Sequence, residues 1–191
     1  MAVRRSPSSV SPAGSTPSIG FKSGPLPVSG ALAEEGLKID SFDEGHCIGR
    51  YGMVVICVWR KAPIVRNLDM VRRAAEEVLI EHPGGIGSLG VTEQGTPPLG
   101  AAEREASTKL FSDFTRVTRF TAIALEGDGF WASSMRSVVT ALSVVARVPF
   151  PVRSFRYVSD ATAWQARFPG APASFALADA VERCRAKMGP R

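Results

Sequence analysis

The stretch TRFTAIALEGDGFWASSMRSVVTALSVVARVPFPVRSF, from Thr118 to Phe155, constrains the fold more than any other part of this 191-residue chain. Phe120–Leu125 is apolar on both faces, as a central strand is, and Glu126–Gly129 supplies a glycine turn. Trp131, Met135, Val138, Leu142 and Val145 then recur at helical spacing, with Ser133, Arg136, Ser137, Thr140 and Arg147 on the opposite side. That is the pattern of an amphipathic helix. Pro149 and Pro151 stop it, and Val152–Val158 reads as a last strand whose Arg153 and Arg156 suit a sheet edge. Strands joined through a helix run parallel, so the segment predicts a sheet with helices packed on it.

The rest of the chain can be arranged around that unit. Residues 1–44 form a Ser/Pro/Gly-rich segment with no acidic residue before Glu34, a composition that predicts a disordered tail. Arg4 and Arg5 lack the apolar core of a secretory signal behind them. Order is expected to begin near Gly45. His46–Arg50 and Met53–Trp59 read as strands joined by a tight Tyr51–Gly52 turn, and MVVICVW, lacking alternation, reads as central. Asn67 is a plausible N-cap for a helix that turns Leu68, Val71, Ala75, Val78 and Leu79 inward and stops at His82–Gly85. Ile86–Val91 gives a strand whose glycines predict close packing by a neighbour. A second helix is predicted from about Leu99 to Thr115, with Ala102, Ala106, Leu110 and Phe114 inward and Glu105–Lys109 as an exposed pair. Asp160–Phe168 reads as a short helix anchored by Trp164, within a domain spanning 45–168. Residues 169–191 read as a linker and a C-terminal amphipathic helix capped by Ser174. Its stripe of Leu177, Val181, Cys184 and Met188 is expected to dock on the domain's own surface. The predicted fold class is α/β: a single-layer mixed, mostly parallel sheet of about five strands packed with about four helices.

Composition narrows the chemistry. Three widely spaced cysteines without a CxxC, and only two histidines, argue against a disulfide framework or a metal centre and fit a reducing, cytoplasmic setting. No cofactor is implied. The formal charge of +5 describes a basic surface, and no recognition helix, zinc finger or aromatic RNA-binding signature points to nucleic acid. No apolar run is long enough for a membrane span. There is no GxSxG, HExxH, P-loop or strand–GxGxxG–helix. Neither His46 nor His82 has an obvious catalytic partner in sequence, and Cys57, inside a buried strand, reads as inert.

Two turns at the C-terminal ends of central strands are the sites where ligands tend to bind in open α/β sheets. One contributes Thr92, Glu93 and Thr96. The other contributes Glu126 and Asp128 and leads into Trp131, Ser133 and Arg136. Glu126 and Asp128 are spaced for a cation or a general acid–base pair, although acidic residues before a helix also simply stabilise its positive end. Ser133, in the first helical turn, stands where a phosphate would be stabilised.

The strand–helix order and the segments AIALEGDGFW (Ala122–Trp131), PVRSF (Pro151–Phe155) and ATAW (Ala161–Trp164) resemble the STAS family of sulfate-transporter and anti-sigma-factor-antagonist domains over residues 45–168. The nearest branch is that of the antagonist-like and lipid-transfer-like bacterial domains. The resemblance implies a regulatory or scaffolding domain, not an enzyme, that binds a protein partner. It also implies an alternative, a carrier of a small apolar or anionic ligand held between sheet and helix. The family's phosphorylatable Asp-Ser-Ser-Gly-like motif is absent from the matching Thr92–Leu99 turn. A third alternative, read from the residues alone, is a hydrolase using Glu126 and Asp128.

Overall fold

The computed structural model describes residues 36–145 and 148–191, without the side chains of Phe130, Ala132, Val138 and residues 142–145. Of the tail expected over residues 1–44, residues 1–35 fall outside what is described, as do Arg147 and the side chains of Val138, Leu142 and Val145. Six strands form one sheet in sequential order: β1 (Leu37–Phe42), β2 (His46–Tyr51), β3 (Val54–Trp59), β4 (Ile86–Thr92), β5 (Thr118–Leu125) and β6 (Val152–Phe155). The first three pair antiparallel and the last four parallel, so the sheet is mixed and mostly parallel as expected. Five helices accompany it: α1 (Val65–Glu81), α2 (Ala101–Asp113), α3 (Gly129–Val145), α4 (Val158–Gln165) and α5 (Ser174–Met188).

β3 is buried at every position and lies between β2 and β4, which is why its sequence shows no alternation. The turn before it contains Gly52 at φ +53°, a left-handed conformation that glycine adopts without steric cost. Among the described residues β6 pairs with β5 alone and forms an edge, as its arginines suggested.

Helices cover both sheet faces. On one face lie α4, over β4 to β6, and α5, over β1 to β3. Phe120 of β5 stacks on Phe168 with 4.4 Å between centroids and meets Trp164 edge-on at 6.3 Å. Leu177, Val181 and Cys184 are fully buried and Met188 nearly so. The stripe on α5 therefore docks on the sheet, and α5 belongs to the domain instead of following it. On the other face α1 covers β1 to β4 and α3 covers β5 and β6. Between them α2 rests on α1 and α3 and stands off the sheet.

Several local expectations need correction. Order begins before Gly45: β1 lies inside the segment read as tail, and its Asp40 takes a bidentate contact from Arg50 at 2.8–3.0 Å. Asn67 does not cap α1 from outside. It sits in the first turn, where its Oδ1 accepts the Ile64 N–H at 2.9 Å. Ala102 is exposed, and Ser107 is the one fully buried residue of α2, because that helix faces a gap and not a close-packed layer. Lys109 pairs with Asp113 at 3.3 Å, not with Glu105. Ser174 opens α5 without capping it; its Oγ lies 2.9 Å from Thr162 Oγ1.

Candidate functional site

Because α2 stands off the sheet, an apolar cavity of about 200 Å³ remains beneath it. Alternation along the strands determines its floor: Val55, Cys57 and Trp59 of β3, Ser88, Gly90 and Thr92 of β4, and Thr121, Ile123 and Leu125 of β5 all point to this face. Leu68, Val71 and Ala75 of α1 form one wall and Met135 and Val139 of α3 the other. Leu110, Phe111 and Phe114 form the roof. Among the described residues no charged side chain lines it.

Gly90 and Thr121 give the cavity its character. A Cβ placed on Gly90 would meet nothing nearer than Ile123, at 3.9 Å, so the glycine leaves room that no neighbour fills. The other glycine of the strand, Gly87, behaves as the sequence predicted: a Cβ there would come within 2.4 Å of the Phe120 ring. Thr121 is 2% exposed, and its hydroxyl has no hydrogen-bond partner. A buried polar group left in this state costs roughly 1–3 kcal/mol. Among the described residues two other buried side-chain atoms share it, Gln165 Oε1 and Arg185 Nε, and neither residue lines the cavity.

The two turns lie side by side, Thr96 meeting Trp131 and Glu93 sharing Arg185 with Glu126. Thr96 is buried, its hydroxyl donating to the carbonyls of Glu93 (2.7 Å) and Trp59 (3.1 Å), and its own carbonyl accepts the Trp131 indole N–H at 3.0 Å. These bonds tie the β4–α2 turn to the start of α3 and to the end of β3. Thr92 is buried on the cavity floor. Glu93, 5% exposed at its side chain, is held by Arg60 at 3.0 Å, Arg191 at 2.9 Å and Arg185 at 3.3 Å. The Arg185 contact is an ion pair without hydrogen-bond geometry, which leaves Nε orphaned. Burial alone would lower the pKa of Arg185, but Glu126, Glu182 and Glu93 outweigh it and raise it. Glu126 pairs with Arg185 at 2.5 Å, whereas Asp128 pairs with Arg156 at 2.7 Å on the surface. The two carboxylates are thus engaged by different arginines and share no common ligand position. Ser133 and Arg136 lie exposed on α3.

A further constellation lies where the tail was expected. His46 Nδ1 stands 2.9 Å from Asp43 Oδ1, and its Nε2 stands 2.9 Å from Ser41 Oγ. His46, read from sequence as partnerless, therefore has both ring nitrogens engaged. Asp43 Oδ1 also accepts the amides of Gly45 and His46 at 2.6 and 2.9 Å, which fixes the turn. Burial pushes the Asp43 pKa up, but those amides and the neighbouring imidazole more than offset it and hold it low. Sequence reading missed Ser41 and Asp43 because they adjoin a low-complexity segment. The usable signal was Asp43-x-Gly45-His46, an Asx-turn pattern that closes a hairpin. The gap beneath α2 had no such signal, since it depends on how far a helix stands from a sheet.

Comparison with protein-family models, with curated proteins and with solved structures found no match. Among the described residues no cluster of acidic, histidine or cysteine side chains could hold a metal ion, and no helix is long and apolar enough to cross a membrane.

Proposed function

We propose that this chain is a binding domain for a small, neutral, mostly apolar molecule held between the sheet and α1–α3. The observation that carries the reading is a cavity of about 200 Å³ with an orphaned hydroxyl at Thr121. An apolar cavity of about 150 Å³ suffices to take up benzene, so this one suits a molecule on the order of eight to ten heavy atoms. The lining residues that are described carry no charge, which argues against an anionic ligand, whose buried carboxylate would find no counter-charge among them. One polar group on the ligand, placed to bond Thr121, would remove the penalty that the empty site carries.

This reading follows the carrier alternative of the STAS resemblance, not the partner-binding one. Regulation by phosphorylation at the β4–α2 turn has little support from the geometry, since Thr92 and Thr96 are buried and the Thr96 hydroxyl is already committed. The candidates Asp128, Ser133 and Arg136 are exposed and polar, whereas protein interfaces usually draw their affinity from apolar and aromatic anchors. The three thiols are free and buried, which suits a reducing compartment.

Thermal unfolding with benzyl alcohol, toluene and benzoate tests the proposal. Benzyl alcohol at one hundred times its Kd should add about 2.7 kcal/mol, or roughly 5–10 °C in Tm for a chain this long. Toluene should act more weakly and benzoate not at all. Thr121→Val should abolish the preference for the alcohol over toluene. A benzoate shift equal to that of benzyl alcohol would disprove the neutral-ligand reading, and no shift with any of the three would disprove the binding site.

A further inference from the structure

We propose that Ser41 is a nucleophile, activated by His46 and oriented through Asp43, that accepts the acyl group of small apolar carboxylic esters. The inference does not depend on the cavity. It rests on the order of three side chains and on which atoms they present to one another. Asp43 is an acceptor when ionised, so the proton of His46 resides on Nδ1, 2.9 Å from Asp43 Oδ1. Nε2 is then a lone-pair acceptor, and the Ser41 hydroxyl, 2.9 Å away, donates to it. That is the arrangement a general base needs to remove a hydroxyl proton as the oxygen attacks.

The surroundings hold the imidazole still. Trp59 stacks on it with ring centroids 5.9 Å apart and planes at 28°. Asn67 Nδ2 lies 3.5 Å from Nδ1 and 3.4 Å from Nε2, near-equal distances that place it over the ring face while the ring edges serve Asp43 and Ser41. The Asn67 amide is itself oriented by the Ile64 N–H, which its Oδ1 accepts at 2.9 Å. A β-bulge between Ile39 and Ser41 breaks the β1 register just before the serine; such bulges re-aim side chains. Ser41 is partly exposed and Asp43 has 60% of its side chain exposed, so a reagent can approach. Two exposed apolar side chains, Ile64 and Val65, stand just ahead of Asn67 in sequence. They suit an apolar acyl or aryl group.

In the acylation step Ser41 Oγ bonds to the ester carbonyl carbon as its proton passes to His46 Nε2. The carbon–oxygen bond to the leaving alcohol breaks, and His46 returns the proton to that oxygen. Water then attacks the acyl-serine by the same route, releasing the carboxylic acid and restoring the hydroxyl.

Incubating the full chain with a fluorophosphonate, and mapping the adduct by mass spectrometry, tests the first half of this chemistry without a known substrate. The phosphonyl group should appear on the Ser41 peptide with loss of fluoride, and not at all in Ser41→Ala. Hydrolysis of p-nitrophenyl acetate should be lost in the same variant. Asp43→Asn keeps an acceptor for the Gly45 and His46 amides, so the turn stays folded while the charge is lost. It should slow labelling by about 10²–10⁴-fold with an unchanged circular dichroism spectrum. His46→Gln should abolish labelling, and Asp43→Asn still decides the matter if that variant fails to fold. Labelling scattered over other hydroxyls, no labelling at Ser41, or a rate in Asp43→Asn equal to that of the unmodified chain would each overturn the proposal.

Discussion

Gly87 and Gly90 lie on one strand and face opposite layers, and the same change should act on them with opposite sign. At Gly90 an added methyl enters open space above Ile123, and replacing glycine in a strand reduces the freedom of the unfolded chain. Gly90→Ala should therefore raise stability by about 0.4–1 kcal/mol while weakening uptake of benzyl alcohol. At Gly87 the methyl meets the Phe120 ring, in a layer already filled by Trp164 and Phe168. Gly87→Ala should lower stability by about 1–3 kcal/mol, as overpacking does. Urea titration of both variants checks the pair, and a loss at both positions would show that the room at Gly90 is not there in solution. Glu93 is a different kind of residue, a buried carboxylate whose removal takes from Arg60 its carboxylate partner, while Arg185 keeps Glu126. Glu93→Ala should cost about 3–5 kcal/mol, the usual result of leaving buried charge unpaired. In sequence the two glycines looked alike, as positions of close packing, and Glu93 looked like an available ligand group. What separates them is the layer each one faces, and that is a property of neighbours distant along the chain.

Among the elements, the strands and α5 were more legible than α2. The run Val54–Trp59 and the stripe on α5 each carry their burial in their own spacing, and both lie where that spacing placed them. α2 has a weak apolar face because it is a roof over a gap, so its periodicity pointed to Ala102 when the buried position is Ser107. Its anchor to α1 is partly electrostatic: Arg72 on α1 reaches Asp113 at 2.6 Å, and Lys109 of α2 itself shares that carboxylate. Another such tie joins β1 to α1 through Lys38 and Glu81 at 2.7 Å. Arg72 holds the Asp113 pKa low, and Lys38 does the same for Glu81. A carboxylate whose folded pKa lies below its unfolded value contributes stability at neutral pH, and that contribution disappears as pH falls through the folded value. Acid should accordingly loosen these ties, and none of their stabilisation should be lost between pH 6 and 8. Hydrogen exchange at pH 7 should find α2 the least protected of α1, α2 and α5, with Asp113→Asn raising its exchange further. Equal protection across the three helices would contradict the picture of α2 as a lightly held roof.

At the scale of the whole molecule, the alternation of strand and helix revealed the fold class, because each crossover helix makes its flanking strands parallel. The N-terminal limit of the fold was not legible in the same way. β1 is short, follows a stretch rich in serine, proline and glycine, and shows mixed burial, so nothing in its own pattern marks it as structure. Its place is set by β2: Leu37 pairs with Tyr51, Arg50 grips Asp40, and Ser41 meets His46. Without β1 the whole of β2 would become a sheet edge, and an unpaired edge with apolar residues is a template for association. Two shortened chains separate these views of the boundary. One begins at residue 36 and keeps β1; the other begins at Gly45, where composition alone would have placed the start of order. The second should unfold at a lower urea concentration and self-associate in sedimentation velocity, with Ser41, Asp43 and any chemistry they support removed together. If both chains unfold at the same urea concentration and stay monomeric, β1 is an ornament on a five-stranded domain, and the six-stranded sheet is not the folding unit.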